Sequence, residues 1–241
     1  SLNNLGVTYV RLAQYDKGMP MILRALEIRE RALGPSHPST ALSLNNLGAI
    51  YTNLAQYDKA LELQLRALGI REKVLGLDHP EVASIVDNLA NNYNQLDQFD
   101  KALPLQRRGL AIREKAFGRD DPRIAWSLNK LAYSYNRLAQ FDKALELSLR
   151  ALAIQEKSIG LAHPDVAWTL NIQAYSYSGL AQHDKALQLN LRALVIKEKM
   201  QGQDHPDTAN SYSSIAFSFL DTGNPDVAIL FLKKAVNAYQ F

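Results

Sequence analysis

The stretch Gly34–Leu75, GPSHPSTALSLNNLGAIYTNLAQYDKALELQLRALGIREKVL, decides the fold, because nearly everything else in the chain is a copy of it. The glycine that opens the stretch returns at a constant interval of 42 residues, and so does the proline that follows shortly after it. Self-similarity at a fixed period of tens of residues is typical of proteins built from stacked repeats. The copies of the glycine are Gly34, Gly76, Gly118, Gly160 and Gly202.

The first half of the stretch predicts a helix, which we name helix A. Its apolar residues Leu44, Leu47, Gly48 and Tyr51 recur at three- and four-residue steps, which places them on one face of a helix. We expect this face to be buried and the opposite face to be free to vary. The opposite face carries Leu42, Asn45, Asn46, Ala49 and Asn53.

The second half of the stretch predicts another helix, which we name helix B. The run QYD interrupts the pattern, and Asp58 is expected to cap a helix that begins at Lys59 and ends near Leu75. Gly76 suits the left-handed conformation just past a helix end, and Pro80 suits the first turn of the next helix A. Each unit is therefore predicted to be an antiparallel hairpin of two helices.

The repeats predict a single all-α domain over residues 1–241, a solenoid of about six hairpins, whose length counts repeats because a solenoid has no single core. The first unit is truncated. The last departs from the consensus and ends in apolar residues such as Phe231 and Phe241, which make a poor polar cap. We therefore expect the chain to be a fragment of a longer protein. The predicted units are 1–33, 34–75, 76–117, 118–159, 160–201 and 202–241.

Charge and cysteine content narrow the classes of function. The 27 basic and 24 acidic residues lie mostly on helix B in runs of mixed sign, which favours a solvated outer face over a nucleic-acid patch. The chain has no cysteine, which excludes disulfides and thiolate metal sites and fits a reducing compartment. No apolar run approaches the roughly 20 residues that a membrane span needs. These patterns predict a cytoplasmic protein with neither a nucleic-acid nor a membrane partner.

Histidines precede the proline of most units and resemble a row of metal ligands. Neighbouring repeats lie on the order of 10 Å apart, however, whereas zinc needs ligand atoms at about 2 Å. The unit that begins at Gly118 has Asp121 at this place, which favours a helix-capping or turn role. Neither a phosphate-binding glycine loop nor a nucleophile elbow is present. The sequence therefore predicts no enzyme, no cofactor and no metal site. The histidines are His37, His79, His163 and His205.

At their mutual spacings, Leu47, Gly48, Tyr51, Ala60 and Ala67 resemble the tetratricopeptide repeat. The 42-residue unit with LNNLG, ALEIRE and LG-x-x-HP is similar to the subtype found in kinesin light chains, and the match covers the whole chain. This resemblance implies a right-handed superhelix in which the A helices line a concave groove. It also implies that the groove binds peptide segments of partner proteins.

The variable face of helix A would line that groove, and in the first units it is rich in asparagine. Asparagine costs roughly a few tenths of a kcal/mol against alanine within a helix, so its repeated use suggests a benefit. Its amide offers the donors and the acceptor that an extended peptide backbone needs. In the resembling family such asparagines contact cargo peptide; alternatively, here they bond neighbouring repeats or water. The candidates are Asn4, Asn45, Asn46, Asn53, Asn88 and Asn91.

Aromatic residues form a second ladder on the variable face in the later units. Trp126 and Trp168 are one period apart, as are Tyr133 and Tyr175, so both pairs project the same way from adjacent A helices. Aromatic side chains exposed in a concavity are good anchors for a ligand. The alternative is that each tryptophan packs against the preceding helix B, and burial beyond nine-tenths would exclude the anchor role. The remaining candidates on this face are Asn129, Lys130, Arg137 and Asn171.

The groove residues indicate a recognition module. Lys130 and Arg137 would make part of the groove basic, which slightly favours an acidic peptide. We therefore expect a protein–protein interaction module that binds a partner's peptide in the groove. The alternative is a structural spacer or self-association scaffold that regulates another domain of the parent chain, because the apolar last helix would support end-to-end pairing.

Overall fold

A computed structural model describes residues 1–238, which form twelve α-helices and no strand. Odd-numbered helices correspond to helix A and even-numbered helices to helix B, so the prediction of an all-α fold of about six hairpins is confirmed. The helices are α1 (Leu2–Arg11), α2 (Tyr15–Leu33), α3 (Pro38–Asn53), α4 (Tyr57–Leu75), α5 (Pro80–Gln95), α6 (Phe99–Phe117), α7 (Pro122–Arg137), α8 (Phe141–Ser158), α9 (Pro164–Gly179), α10 (His183–Gln201), α11 (Pro206–Asp221) and α12 (Pro225–Ala238).

The helices group into two compact units, Ser1–Gly118 with α1 to α6 and Arg119–Phe241 with α7 to α12. Within each unit, consecutive helices pack against one another. A helices also contact each other directly: α3 touches α1 and α5, and α7 touches α9. The expectation of one domain over residues 1–241 stays a prediction, and Phe241 lies outside the described residues.

In every hairpin after the first, helix A begins at a proline, and the residue before that proline is the N-cap. In α3, His37 Nδ1 accepts a hydrogen bond from the backbone N–H of Ser39 at 3.1 Å, and in α7, Asp121 Oδ1 accepts one from Arg123 at 2.9 Å. A neutral imidazole nitrogen and a carboxylate oxygen are both acceptors, so either satisfies an N–H that the first turn leaves unpaired. The predicted capping role is confirmed, and His79, His163 and His205 make the same bond.

Helix B begins earlier than predicted, and the cap assigned to Asp58 was wrong. In the second hairpin α4 starts at Tyr57 instead of Lys59, and the side chain of its N-cap residue Gln56 accepts a hydrogen bond from Lys59 Nζ at 2.8 Å instead of capping a backbone N–H. Asp58 lies inside the first turn. There its negative charge is favoured by the positive end of the helix dipole, so the aspartate still marks the helix start.

The turn between the two helices is built from a left-handed alanine. Ala55 has φ 54° and donates its N–H to Thr52 O at 3.0 Å, while Gln56 donates to Tyr51 O at 2.8 Å. These two bonds form a Schellman motif, in which glycine is the usual left-handed residue. Because alanine and aspartate occupy the position here, the sequence did not reveal it. The equivalent residues are Ala13, Ala55, Asp97, Ala139 and Ala181.

The apolar face of helix A forms the core, as predicted. Leu44 and Leu47 are buried in a cluster with Leu68 of α4 and Val86 of α5. The prediction that glycine ends helix B is also confirmed at Gly76, which has φ 84° and ψ 166°. This conformation is essentially restricted to glycine, although its ψ is extended instead of helical.

Candidate functional site

The asparagines of the first unit pair with one another between neighbouring A helices. Asn46 Nδ2 donates to Asn3 Oδ1 at 3.4 Å, and Asn88 Nδ2 donates to Asn45 Oδ1 at 3.1 Å. Asn45, Asn46 and Asn88 are all half-buried. These bonds support the reading in which the asparagines link adjacent repeats. Among the other candidates of this unit, Asn4 and Asn53 are exposed and Asn91 is half-buried.

Asn129 lies inside the second unit and not on its surface. Its exposed fraction is 0%, and its Nδ2 donates to Thr169 Oγ1 of α9 at 2.5 Å. The Thr169 hydroxyl donates in turn to Gln155 Oε1 of α8 at 2.6 Å. The same position in the first hairpin is the buried Asn3, which Ser43 of the next helix A contacts at 3.3 Å. Asn129 therefore ties neighbouring helices together and does not face a groove.

The aromatic candidates of the second unit lie on its surface. Trp126 is 47% exposed, Tyr133 39% and Tyr175 56%, and Trp168 is half-buried. Neither tryptophan reaches the burial that would exclude an anchor role. Phe217 of α11 is 61% exposed and lies 42 residues after Tyr175, so three consecutive A helices present an aromatic ring from the same repeat position.

A groove of about 500 Å³ lies on the face formed by α7, α9 and α11. Its volume falls within the range of roughly 300–1,000 Å³ that is usual for ligand sites. Of the predicted residues, the groove brings together five, whereas Trp126 and Lys130 are not among its walls. These five are Tyr133, Arg137, Trp168, Asn171 and Tyr175.

Phe141, the first residue of α8, packs against Tyr175 of α9. The rings of Tyr175 and Phe141 are tilted against each other with centroids 6.3 Å apart. Phe141 occupies the space that a side chain at Gly179 would need, since a Cβ there would collide with its ring. Gly179 thus allows Phe141 to lie close to α9, where it holds the tyrosine in the groove wall.

The charged residues divide between the two sides of the groove. On α7, Arg137 donates to Tyr133 Oη at 3.1 Å, and Lys130 Nζ lies 4.4 Å from the centroid of the Trp126 ring, in a cation–π contact. On α11, Asp221 is exposed, and its Oδ2 lies 3.6 Å from His183 Nδ1. The groove is therefore basic along α7 and acidic along α11.

Phe217 and Asp221 line the groove as well. The sequence places both on the variable face of helix A, 84 residues or two full periods after Tyr133 and Arg137, although neither is in the set of binding candidates given above. Asn136 and Ser178 also line the groove. The sequence did not indicate them, because a helical wheel places this position at the border between the buried face and the variable face of helix A.

In the part of the chain that the structure describes, no group of three or more histidines and carboxylates could hold a metal ion. Over the same residues, none of the helices combines the length and apolar character required to cross a bilayer.

These features define an all-α repeat protein whose A helices carry an aromatic groove. Sequence comparison places it in a family: the model of the tetratricopeptide repeat matches residues 1–73, 44–115, 81–157, 123–199 and 165–240. The chain belongs to the tetratricopeptide repeat family. Members of this family generally serve as protein–protein interaction modules and are generally not enzymes.

Solved structures share this fold. The nearly identical TPR-like repeats of a kinesin light chain from Podosopora anserina align with 26% identity and a TM-score of 0.70, over 84% of this chain and 96% of that one. BtubC (BKLC) from P. vanneervenii aligns with 20% identity and a TM-score of 0.75, over 91% and 89%. Aspartyl phosphate phosphatase F from Bacillus subtilis aligns with 16% identity and a TM-score of 0.71, over 100% and 59%. None of the curated proteins compared with the chain matches it.

Proposed function

We propose that this chain is a recognition module that binds an extended segment of a partner protein, and that the groove of α7, α9 and α11 is the main site. One observation carries this proposal: Tyr133, Tyr175 and Phe217 come from three consecutive A helices and all remain exposed around one groove. Exposed large apolar side chains gathered in one place are typical of interaction sites.

Covering these rings would supply much of the binding free energy. Burial of apolar surface contributes about 25 cal/mol per Å², so a ligand that covers roughly 100 Å² of the groove wall gains about 2–3 kcal/mol. Aromatic side chains also lose little conformational freedom on binding, since they have few rotatable bonds. Trp168, half-buried beside Tyr175, extends the apolar wall.

Polar groups in the groove suit a peptide backbone. The Asn171 amide and the Ser214 hydroxyl both line it, and together they offer donors and acceptors to the N–H and C=O groups of an extended chain. Arg137 favours acidic side chains on the α7 side, and Lys130 adds a positive charge on the same helix outside the groove walls. In the first unit, Asn4, Asn53 and Asn91 are proposed to add polar contacts. The cytoplasmic location remains a prediction.

The test is selection from a random library of displayed peptides, followed by affinity measurement with variants. We expect selected peptides to bind Trp168→Ala, Tyr175→Ala and Phe217→Ala at least about tenfold more weakly than the unmodified chain, as for central interface residues. Leu149→Ala is the matched control, because Leu149 is similarly exposed on α8, outside the groove. Peptides that keep their affinity for the three groove variants would contradict the proposal.

A second candidate function is self-association, and the last helix carries the observation that favours it. Val236 of α12 is 56% exposed, whereas Leu194, one period earlier on α10, is buried against Tyr212 and Ile215 of α11. Leu232 is likewise exposed where its counterpart Asn190 is buried. The exposed face of α12 thus carries apolar residues at positions that, on α10, are covered by the next helix A.

The first helix offers a complementary face for a second copy of the chain. Leu2 and Leu5 of α1 are exposed, although Leu44 and Leu47, their counterparts on α3, are buried. In this second proposal, α1 of one copy packs on α12 of another as α11 packs on α10. Sedimentation over a range of concentrations should show association that Val236→Lys abolishes. A species that is monomeric throughout, with or without the substitution, would rule it out.

A further inference from the structure

One repeat position carries opposite charges on the two sides of the groove. Arg137 is the last residue of α7 and Asp221 is the last residue of α11, and the two are separated by two full periods. Both side chains are exposed and both line the groove. The same position on the intervening helix α9 is Gly179, which has no side chain. The groove therefore ends in a cation on one side and an anion on the other.

The wall between these charges is mainly apolar. Trp168 and Tyr175 lie on α9, the helix between the two sides, and Phe217 lines the groove from α11. Gly179 adds no side chain at the end of α9. Charges beside apolar surface interact with a ligand more strongly than charges surrounded by water, because the local dielectric constant is lower. Two other ionisable groups lie nearby. Lys130 contacts Trp126 on the α7 side, and His183 lies beside Asp221.

The repeat spacing sets the separation of the two charges. Packed helices lie roughly 8–10 Å apart, so two such steps from α7 to α11 span about 16–20 Å. An extended peptide advances about 3.3 Å per residue, so about five or six residues bridge this span.

We propose that the groove selects a dipolar segment: an acidic side chain at Arg137, a basic side chain about six residues away at Asp221, and an apolar side chain between them on Trp168, Tyr175 and Phe217. This inference rests on the proposed function and sharpens it, because it names the charge pattern of the ligand. A uniformly acidic segment would place a carboxylate against Asp221, and a uniformly basic one would place a cation against Arg137.

The test compares four forms of the chain in selection from a random library of twelve-residue peptides. The unmodified chain should enrich peptides with one acidic and one basic residue about five to seven positions apart. Arg137→Glu should shift the enrichment to peptides with two basic residues, and Asp221→Arg should shift it to peptides with two acidic residues. The double exchange should restore the dipolar pattern, because it only reverses the two ends. All four forms should show the same helical circular dichroism, since both residues are exposed on the surface.

Affinity measurements on the enriched dipolar peptides complete the test. Replacing the acidic or the basic residue by glutamine should weaken binding to the unmodified chain about fivefold, and added salt should reduce that difference. Enrichment that depends on Trp168 but does not change with either charge would overturn the dipolar ligand and leave the groove in place. Enrichment that is the same with Trp168→Ala would overturn the proposed groove function itself.

Discussion

At the scale of single residues, Asp121, the N-cap of α7, makes the stability of the fold depend on pH. Hydrogen bonds from the Arg123 side chain and backbone hold the pKa of the Asp121 carboxyl at about 2, below the ordinary value of 3.8. Because the folded-state pKa is the lower one, the carboxylate stabilises the fold above about pH 4, and this stabilisation is lost as the pH falls toward 2.

Asp121→Asn should therefore flatten the fall in stability between pH 4 and pH 2, while the amide oxygen can still accept the capping bond. Urea unfolding at several pH values in this range measures the effect. Asp120→Asn is the control, because this neighbouring carboxylate is exposed and does not cap α7. The same pH dependence in the Asp121 variant and the unmodified chain would contradict the assignment.

The paired asparagines of the first unit lead to a different expectation at the same scale. Asn46→Ala and Asn88→Ala each remove a bond between neighbouring A helices, so each should lower the free energy of unfolding by up to about 1 kcal/mol. Peptide binding in the second unit should stay unchanged. Asn53→Ala, at an exposed position, is the control for stability. If the paired substitutions weaken binding with no loss of stability, the asparagines contact ligand after all.

At the scale of elements, the left-handed turn between the helices offers a test with an internal control. Ala139 follows α7 with φ 54°, a conformation that is unfavourable for alanine and free for glycine. Ala139→Gly should raise the free energy of unfolding by about 1 kcal/mol, as measured by chemical denaturation. Ala153→Gly, inside α8, should lower it by about the same amount, because glycine is a poor helix former. Destabilisation by both changes would contradict the role of this turn.

Gly179→Ala tests the support of the groove wall. The added Cβ would displace Phe141, on which Tyr175 rests, so both stability and peptide affinity should fall. Gly69→Ala is the matched control, since a Cβ at Gly69 in α4 meets nothing within 4 Å and should stabilise that helix. A Gly179→Ala variant with unchanged affinity would show that Tyr175 does not need Phe141 behind it.

The sequence predicts elements better than it predicts sites, and particular residues show why. Leu44, Leu47 and Gly76 act through their spacing along one chain, so their roles can be read from the period. Asn129 and Asn171 occupy the same repeat position, yet Asn129 is buried and hydrogen-bonded to Thr169, whereas Asn171 lines the groove. That difference depends on the side chains that the neighbouring helices supply, and a helical wheel of one repeat does not contain them.

At the scale of the whole molecule, the two units differ in what the variable face of helix A carries. In the first unit two asparagine pairs link the variable faces of neighbouring A helices. In the second unit other positions of that face carry the aromatic residues Trp168, Tyr175 and Phe217 around a groove. The repeat thus keeps one fold throughout, and substitutions on a single face of helix A distinguish the groove of the second unit, for which we propose peptide binding.

The central claim is that the groove of α7, α9 and α11 binds a peptide, and a structure of the chain with its tightest selected peptide tests it most directly. We predict that the peptide lies along the three A helices, with an apolar side chain against Trp168, Tyr175 and Phe217. A peptide bound instead on the B helices or on α12, with these three rings still exposed to solvent, would contradict the account.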